Sequence, residues 1–123
     1  MKKKIIIYGG SSYISRELIK CFEKDDVYFI IFCRKKDEVL KFFKDTKMDG
    51  QSFKIFEVDL LDLNSNIEII EKFNKDIDGL IWISGLTGDP ILEFNNDKEC
   101  EKNIKINFLH PMIIINKIVT KLE

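Results

Sequence analysis

The feature that most constrains this chain is the alternation of short apolar runs with segments of helical periodicity. Ile5-Ile6-Ile7-Tyr8, Val27 to Cys33, Phe53 to Val58 and Gly79 to Ser84 are four such runs. The first two lack strict apolar–polar alternation, as expected of strands buried on both faces. Between the runs, Ile14, Leu18, Ile19 and Phe22 recur at helical spacing, with Arg16, Glu17 and Lys20 outside. Ser11 or Ser12 caps this helix and Asp25-Asp26 closes it. A second helix is expected over Lys36 to Lys44, burying Val39, Leu40 and Phe43. The loop around Asp49-Gly50 leads into the third strand. A third helix is expected over Asn64 to Phe73, with Ile67, Ile70 and Phe73 inward and Asn64 or Ser65 as cap. Gly85 to Pro90 is a loop, and a long helix from about Lys98 to Lys121 carries Ile104, Phe108, Met112 and Ile115 on one face. Strands and helices in this order, with no hairpin between them, predict an α/β domain built on a parallel sheet with right-handed crossovers. Residues 1–123 read as one domain, without repeat or linker.

Composition narrows the function classes. Hydrophobic residues at 45% and charged residues at 33% describe a globular chain. Twenty basic against twenty-one acidic side chains leave a net charge of -1, which gives no electrostatic case for nucleic acid or an anionic membrane. The apolar run after Lys2-Lys3-Lys4 stops at Tyr8-Gly9-Gly10, too soon for a secretory signal. The cluster from Met112 to Ile115 is broken by Asn116 and Lys117, so no segment is expected to span a bilayer. Cys21, Cys33 and Cys100 are odd in number and lack C-x-x-C spacing, which suits a reducing compartment. The expectation is a cytoplasmic protein. With His110 the only histidine, a zinc site is not expected.

In an open α/β sheet, ligands bind beyond the carboxyl ends of the strands. Here those are the loops after Tyr8, Cys33, Val58 and Ser84. In the first, Gly9-Gly10-Ser11-Ser12 joins a strand to a helix, the context of a phosphate-binding turn. Its spacing does not match G-x-x-x-x-G-K-[ST]. On these residues alone, a phosphate turn and a plain strand-to-helix connection are equally good readings.

The flanks add a family. Tyr8 to Ser15 resembles the Thr-Gly-x-x-x-Gly-x-Gly loop of short-chain dehydrogenases/reductases. Gly9 matches the first glycine, Ser11-Ser12 a common middle pair, and Ile14 the apolar residue between the last two glycines. Tyr13 and Ser15 stand where the second and third glycines normally stand. Cys33 occupies the place of the acidic residue that accepts from ribose hydroxyls in NAD-dependent members. Arg34 follows it, as in members that hold the 2′-phosphate of NADP, a group guanidinium binds through paired hydrogen bonds. Lys35 and Lys36 read as a solvated basic turn.

Val58-Asp59-Leu60-Leu61-Asp62 resembles the family's adenine-binding turn, with Asp59 and Leu60 as the contact residues. Asp78 to Gly85 resembles the family's fourth-strand motif, which ends Asn-Asn-Ala-Gly; Gly85 matches and Ser84 replaces alanine. Trp82 and Ile83 replace both asparagines, one of which normally braces the sheet. Ile106-Asn107-Phe108-Leu109-His110-Pro111 resembles Val-Asn-Leu-x-Gly-Pro of the following helix, whose asparagine supports the catalytic proton relay. His110 reads as a packing or surface residue.

The resemblance implies a Rossmann-like, doubly wound parallel sheet, present as about four strands and the long helix after them. It implies a dinucleotide cofactor, NADP(H) favoured over NAD(H), held by Gly9, Ser11, Ser12, Tyr13, Ile14, Arg34, Asp59, Leu60, Ser84 and Gly85. Asn107 is the one candidate catalytic residue. The family's serine and Tyr-x-x-x-Lys lie beyond the matched segments. Tyr8, Tyr13 and Tyr28 are followed four residues later by Ser12, Glu17 and Phe32, where that motif needs lysine. Two functions therefore stand open: the cofactor-binding portion of an oxidoreductase acting on a small carbonyl or alcohol, or a binding module or remnant without catalysis. An open sheet edge and an uncovered face at Phe108, Met112 and Ile115 predict self-association or a partner chain that completes the sheet.

Overall fold

The structure is a computed structural model in which residues 2–22, 26–46, 53–86 and 96–122 are described. Asp25, the Asp49-Gly50 loop and most of the Gly85 to Pro90 segment lie outside those residues. The described elements run β1 (Lys3–Tyr8), α1 (Tyr13–Cys21), β2 (Val27–Cys33), α2 (Lys36–Asp45), β3 (Phe53–Glu57), α3 (Leu63–Glu71) and β4 (Gly79–Trp82). They are followed by α4 (Asp97–Ile104), a π-helical turn (Lys105–Leu109) and α5 (His110–Val119).

The four strands form one parallel sheet in the order β3-β2-β1-β4. The strand order reverses direction between β1 and β4, so the connections divide the helices between the two faces. Side chains alternate across a strand. Ile6, Tyr8, Ile30 and Phe32 accordingly meet Ile70 of α3 and Ile114 and Ile118 of α5 on one face. Ile7, Phe29 and Ile31 meet Ile19 of α1 and Val39 and Phe43 of α2 on the other. A doubly wound α/β fold is the result.

At the carboxyl end of the first face, register pairs Tyr8 with both Phe32 and Trp82, and Phe32 with Phe56. Their rings stack as a ladder across all four strands: Trp82 on Tyr8 at 4.3 Å, Tyr8 on Phe32 at 4.3 Å, Phe32 on Phe56 at 5.2 Å.

Several helical details differ from expectation. Ile14 is 65% exposed, because the buried stripe of α1 runs through Ser15 and Ile19, one residue or about 100° away. Leu40 is exposed and Phe42 takes its place, since Val39, Phe42 and Phe43 form the i, i+3, i+4 stripe. The cap of α3 is Asp62, not Asn64 or Ser65, because the helix begins at Leu63; its carboxylate accepts from the Ser65 N–H at 3.2 Å. Ile70 is buried as expected while Ile67 and Phe73 are half-buried, and α3 also buries Asn66 completely.

The terminal helix is not continuous α-helix. Pro111 has no N–H to donate to the Asn107 carbonyl, and its ring crowds that turn. The preceding turn widens to π geometry, with the His110 N–H donating to the Lys105 carbonyl. Its buried stripe is His110, Pro111, Ile114 and Ile118, whereas Ile104, Phe108 and Met112 are exposed and Ile115 is half-buried. No helix among the described residues is long and apolar enough to cross a membrane.

Candidate functional site

The carboxyl ends of the strands converge on a cavity of about 470 Å³. All four predicted loops reach it: Gly9, Ser11 and Ser12 from the first, Arg34 from the second, Asp59 and Leu60 from the third, Ser84 and Gly85 from the fourth. Tyr13, Ile14 and Asn107 do not line it.

The first loop is built around close approach. Gly9 has φ +93°, a region favouring glycine, and a Cβ there would sit 2.7 Å from the Ser84 backbone nitrogen. A Cβ on Gly10 would meet Ile31 Cγ2 at 2.1 Å, so the loop lies directly on β2. Ser12 caps α1 by accepting from the Ser15 N–H at 3.1 Å. Ser15, in place of the third glycine, is fully buried and donates to the Gly9 carbonyl at 2.7 Å. The N–H groups of Tyr13 and Ile14, the first two of α1, have no partner among the described residues. Their side chains are exposed, so at this end the helix offers backbone donors rather than side-chain contacts.

The second loop presents Arg34, exposed and without hydrogen bond or ion pair among the described residues. Beside it the Glu38 carboxylate lies 3.2 Å from Lys35 Nζ and 3.7 Å from Arg16 Nη2. Burial pushes the Cys33 thiol up to about 11, so it is neither charged nor a strong acceptor at the strand end.

In the third loop, Asp59 turns one carboxylate oxygen into its own turn, accepting from the Leu61 N–H at 2.9 Å. In the fourth, the Tyr8 carbonyl accepts from both Ile83 and Ser84 N–H, at 2.9 and 3.1 Å. The Trp82 indole donates to the Ser84 carbonyl at 3.0 Å, a bond within the end of this strand and not across the sheet. Asn107 lies behind this loop: its amide donates to the Leu86 carbonyl and accepts from the Leu86 N–H, both at 2.7 Å.

These loops, in this order around one parallel sheet, match a known family. The family model described as short chain dehydrogenase fits residues 3–123. This chain belongs to the short-chain dehydrogenase family. Among solved structures, ElxO with NADP bound superposes at TM-score 0.79 with 22% identity, over 98% of this chain and 50% of that one. A short-chain dehydrogenase/reductase from Serratia marcescens superposes at TM-score 0.82 with 12% identity, over 98% of this chain and 51% of that one. One of glucose/ribitol dehydrogenase type from Brucella melitensis gives 0.80 with 14% identity, over 100% and 53%. These likenesses show the fold, and this chain spans about half the length of each structure. No curated protein matches it.

Sequence reasoning missed the buried polar groups beneath the candidate site. The Tyr8 hydroxyl donates to Asn66 Oδ1 at 2.9 Å, and His110 bonds through Nδ1 to the Leu60 carbonyl. Burial raises the Tyr8 phenol far above its ordinary value, so it remains a neutral donor. A tyrosine in an otherwise isoleucine strand and a lone Asn inside an apolar helical stripe were the available signals.

Proposed function

We propose that this chain is the cofactor-binding portion of an oxidoreductase that interconverts a carbonyl and an alcohol, and that it binds NADP(H) in preference to NAD(H). The observation that carries the reading is the joint approach of Gly9 and Ser84. Any side chain on Gly9 would collide with the Ser84 backbone, so glycine lets the first and fourth loops pack together at the mouth of the cavity.

The residues present fit a dinucleotide. The unpartnered N–H groups of Tyr13 and Ile14, with Ser11 and Ser12 beside them, suit a pyrophosphate at a helix N-terminus. Arg34 is an unengaged guanidinium at the cavity rim, and Cys33 next to it offers a ribose hydroxyl little. That pairing supports the phosphorylated cofactor. Asp59 and Leu60 would flank the base, and Ser84 and Gly85 the ribose. When bound, the nicotinamide supplies or accepts a hydride. The chain's own residues bind and orient, and Asn107 holds the Leu86 backbone behind the reacting end. ElxO, which shares the fold, is known with NADP bound. The reading places the protein in the cytoplasm, acting on a small-molecule substrate.

Calorimetric titration tests it. Saturable binding of NADPH, weaker binding of NADH, and a roughly tenfold loss for NADPH alone in Arg34→Ser are expected. No saturable heat for either nucleotide would remove the proposal.

A further inference from the structure

The turn carrying Asp59 and Leu60 is held by side chains rather than by the sheet. The ladder ends where the Val58 N–H donates to the Cys33 carbonyl at 2.9 Å. Beyond it, Asn66 Nδ2 donates to the Asp59 and Asp62 carbonyls, both at 2.9 Å. The His110 ring bonds the Leu60 carbonyl between them. Asn66 Oδ1 accepts from the Tyr8 hydroxyl. Three carbonyls of one short turn are thus engaged from α3 and α5, with β1 behind.

These groups are buried: Asn66 at 0% exposure, Tyr8 at 1% and His110 at 7%. Placing an amide, a phenol and an imidazole in a core is unfavourable unless each finds its partners. Backbone N–H groups of Asp62 and Asn66 already engage the Asp59 and Asp62 carbonyls, at 3.0 and 3.4 Å, so a turn that only linked β3 to α3 would need no buried side-chain donors as well. Here both Asn66 donors serve the turn and the Tyr8 hydroxyl serves Asn66. Directional bonds at low dielectric restrict where the intervening backbone lies. Tyr8, Asp59, Leu60 and Leu61 also line the cavity, so the braced backbone is its wall.

We propose that Tyr8, Asn66 and His110 are positioning residues that lock the Asp59–Asp62 turn as the adenine-end wall of the cavity. Through His110, the same network ties that wall to the helical segment carrying Asn107. The inference rests on the dinucleotide reading of this cavity.

The test compares affinity for 2′,5′-ADP with thermal stability in four forms of the chain: wild type, Tyr8→Phe, His110→Leu and His110→Asn. Tyr8→Phe keeps the ring and removes the one donor to Asn66. His110→Asn keeps a donor near the Nδ1 position, and His110→Leu removes it. Tyr8→Phe and His110→Leu are expected to weaken 2′,5′-ADP roughly three- to tenfold well below the melting temperature, with His110→Asn restoring it to within about twofold. A fall in melting temperature with unchanged affinity in the folded protein would overturn the proposal, as would His110→Asn behaving like His110→Leu. Should His110→Leu not fold, Tyr8→Phe decides by the same criterion. A wild-type chain that binds neither 2′,5′-ADP nor NADPH would instead remove the dinucleotide reading, and this inference with it.

Discussion

The Ser15 hydroxyl donates to the Gly9 carbonyl at 2.7 Å and accepts from the Ser12 hydroxyl at 2.9 Å. The loop is therefore closed by a buried side-chain bond at a place where the family uses a bare glycine. Ser15→Ala is expected to lower stability by about 1 kcal/mol, because the Gly9 carbonyl keeps its second donor, the Ser12 N–H. Urea denaturation should show a lower midpoint with an unchanged slope.

Gly10 and Ile31 should behave as one packing unit. Gly10→Ala places a methyl 2.1 Å from Ile31 Cγ2, on a buried, β-branched side chain that has little freedom to turn away. The expected loss is about 2–3 kcal/mol. Combined with Ile31→Ala, the new methyl enters space the isoleucine has left. The double variant should then be more stable than the sum of the singles by about 1–2 kcal/mol. Strict additivity in urea melts would count against this packing.

Acid should reach α3 through its cap. The Asp62 carboxyl is lowered below its ordinary value, first by the Ser65 hydroxyl at 2.7 Å and then by the Ser65 N–H. A group lowered on folding contributes stability that is present above its unfolded value. That contribution is lost as pH falls through the lower, folded value. Asp62 should therefore support the fold at neutral pH and lose that contribution progressively as pH falls below the ordinary aspartate value. Asp62→Asn keeps a capping oxygen, so it should melt near wild type at pH 7 and show a flatter loss as pH falls below the ordinary aspartate value. An equally steep acid limb in the variant would refute the assignment.

The outer side of the terminal helix carries Phe108 at 64% and Met112 at 48% exposure, four residues apart. Self-association through a second copy follows if this face is what the chain buries in solution. Sedimentation velocity should show mass rising with protein concentration, and Phe108→Lys with Met112→Lys should suppress it. A wild-type chain that sediments as a monomer across the range would discard the idea.

The parallel sheet and the placement of the loops were legible because they follow from long-range pattern: apolar runs, breakers and helical periods. Helix phase was less so. Ile14 and Leu40 are apolar and near-periodic, yet each sits about one residue off the buried stripe, which only contact with the sheet determines. The cap at Asp62 was missed because Asn64 and Ser65 are also good caps, and the helix start depends on how the turn before it closes. Eight of the ten proposed cofactor residues line one cavity, since motif order carries them to the same sheet end. Tyr13 and Ile14 depart from that set because helical geometry turns their side chains outward. The Tyr8–Asn66 bond, 58 residues apart in sequence, left no local pattern to read.

The aromatic ladder has a spectroscopic consequence. Trp82 is the only tryptophan, and its ring lies 4.3 Å from Tyr8 with 14° between the planes. Chromophores so close and so ordered should give a distinct near-ultraviolet circular dichroism band, one that reports whether β4 is docked on β1. The band needs both chromophores, so Tyr8→Phe alters it whatever the state of the sheet, whereas His110→Leu removes the bond to the Leu60 carbonyl and leaves the pair intact. In His110→Leu, light absorbed at this one pair thus separates loss of the sheet from loss of the polar bond beneath the ligand cavity.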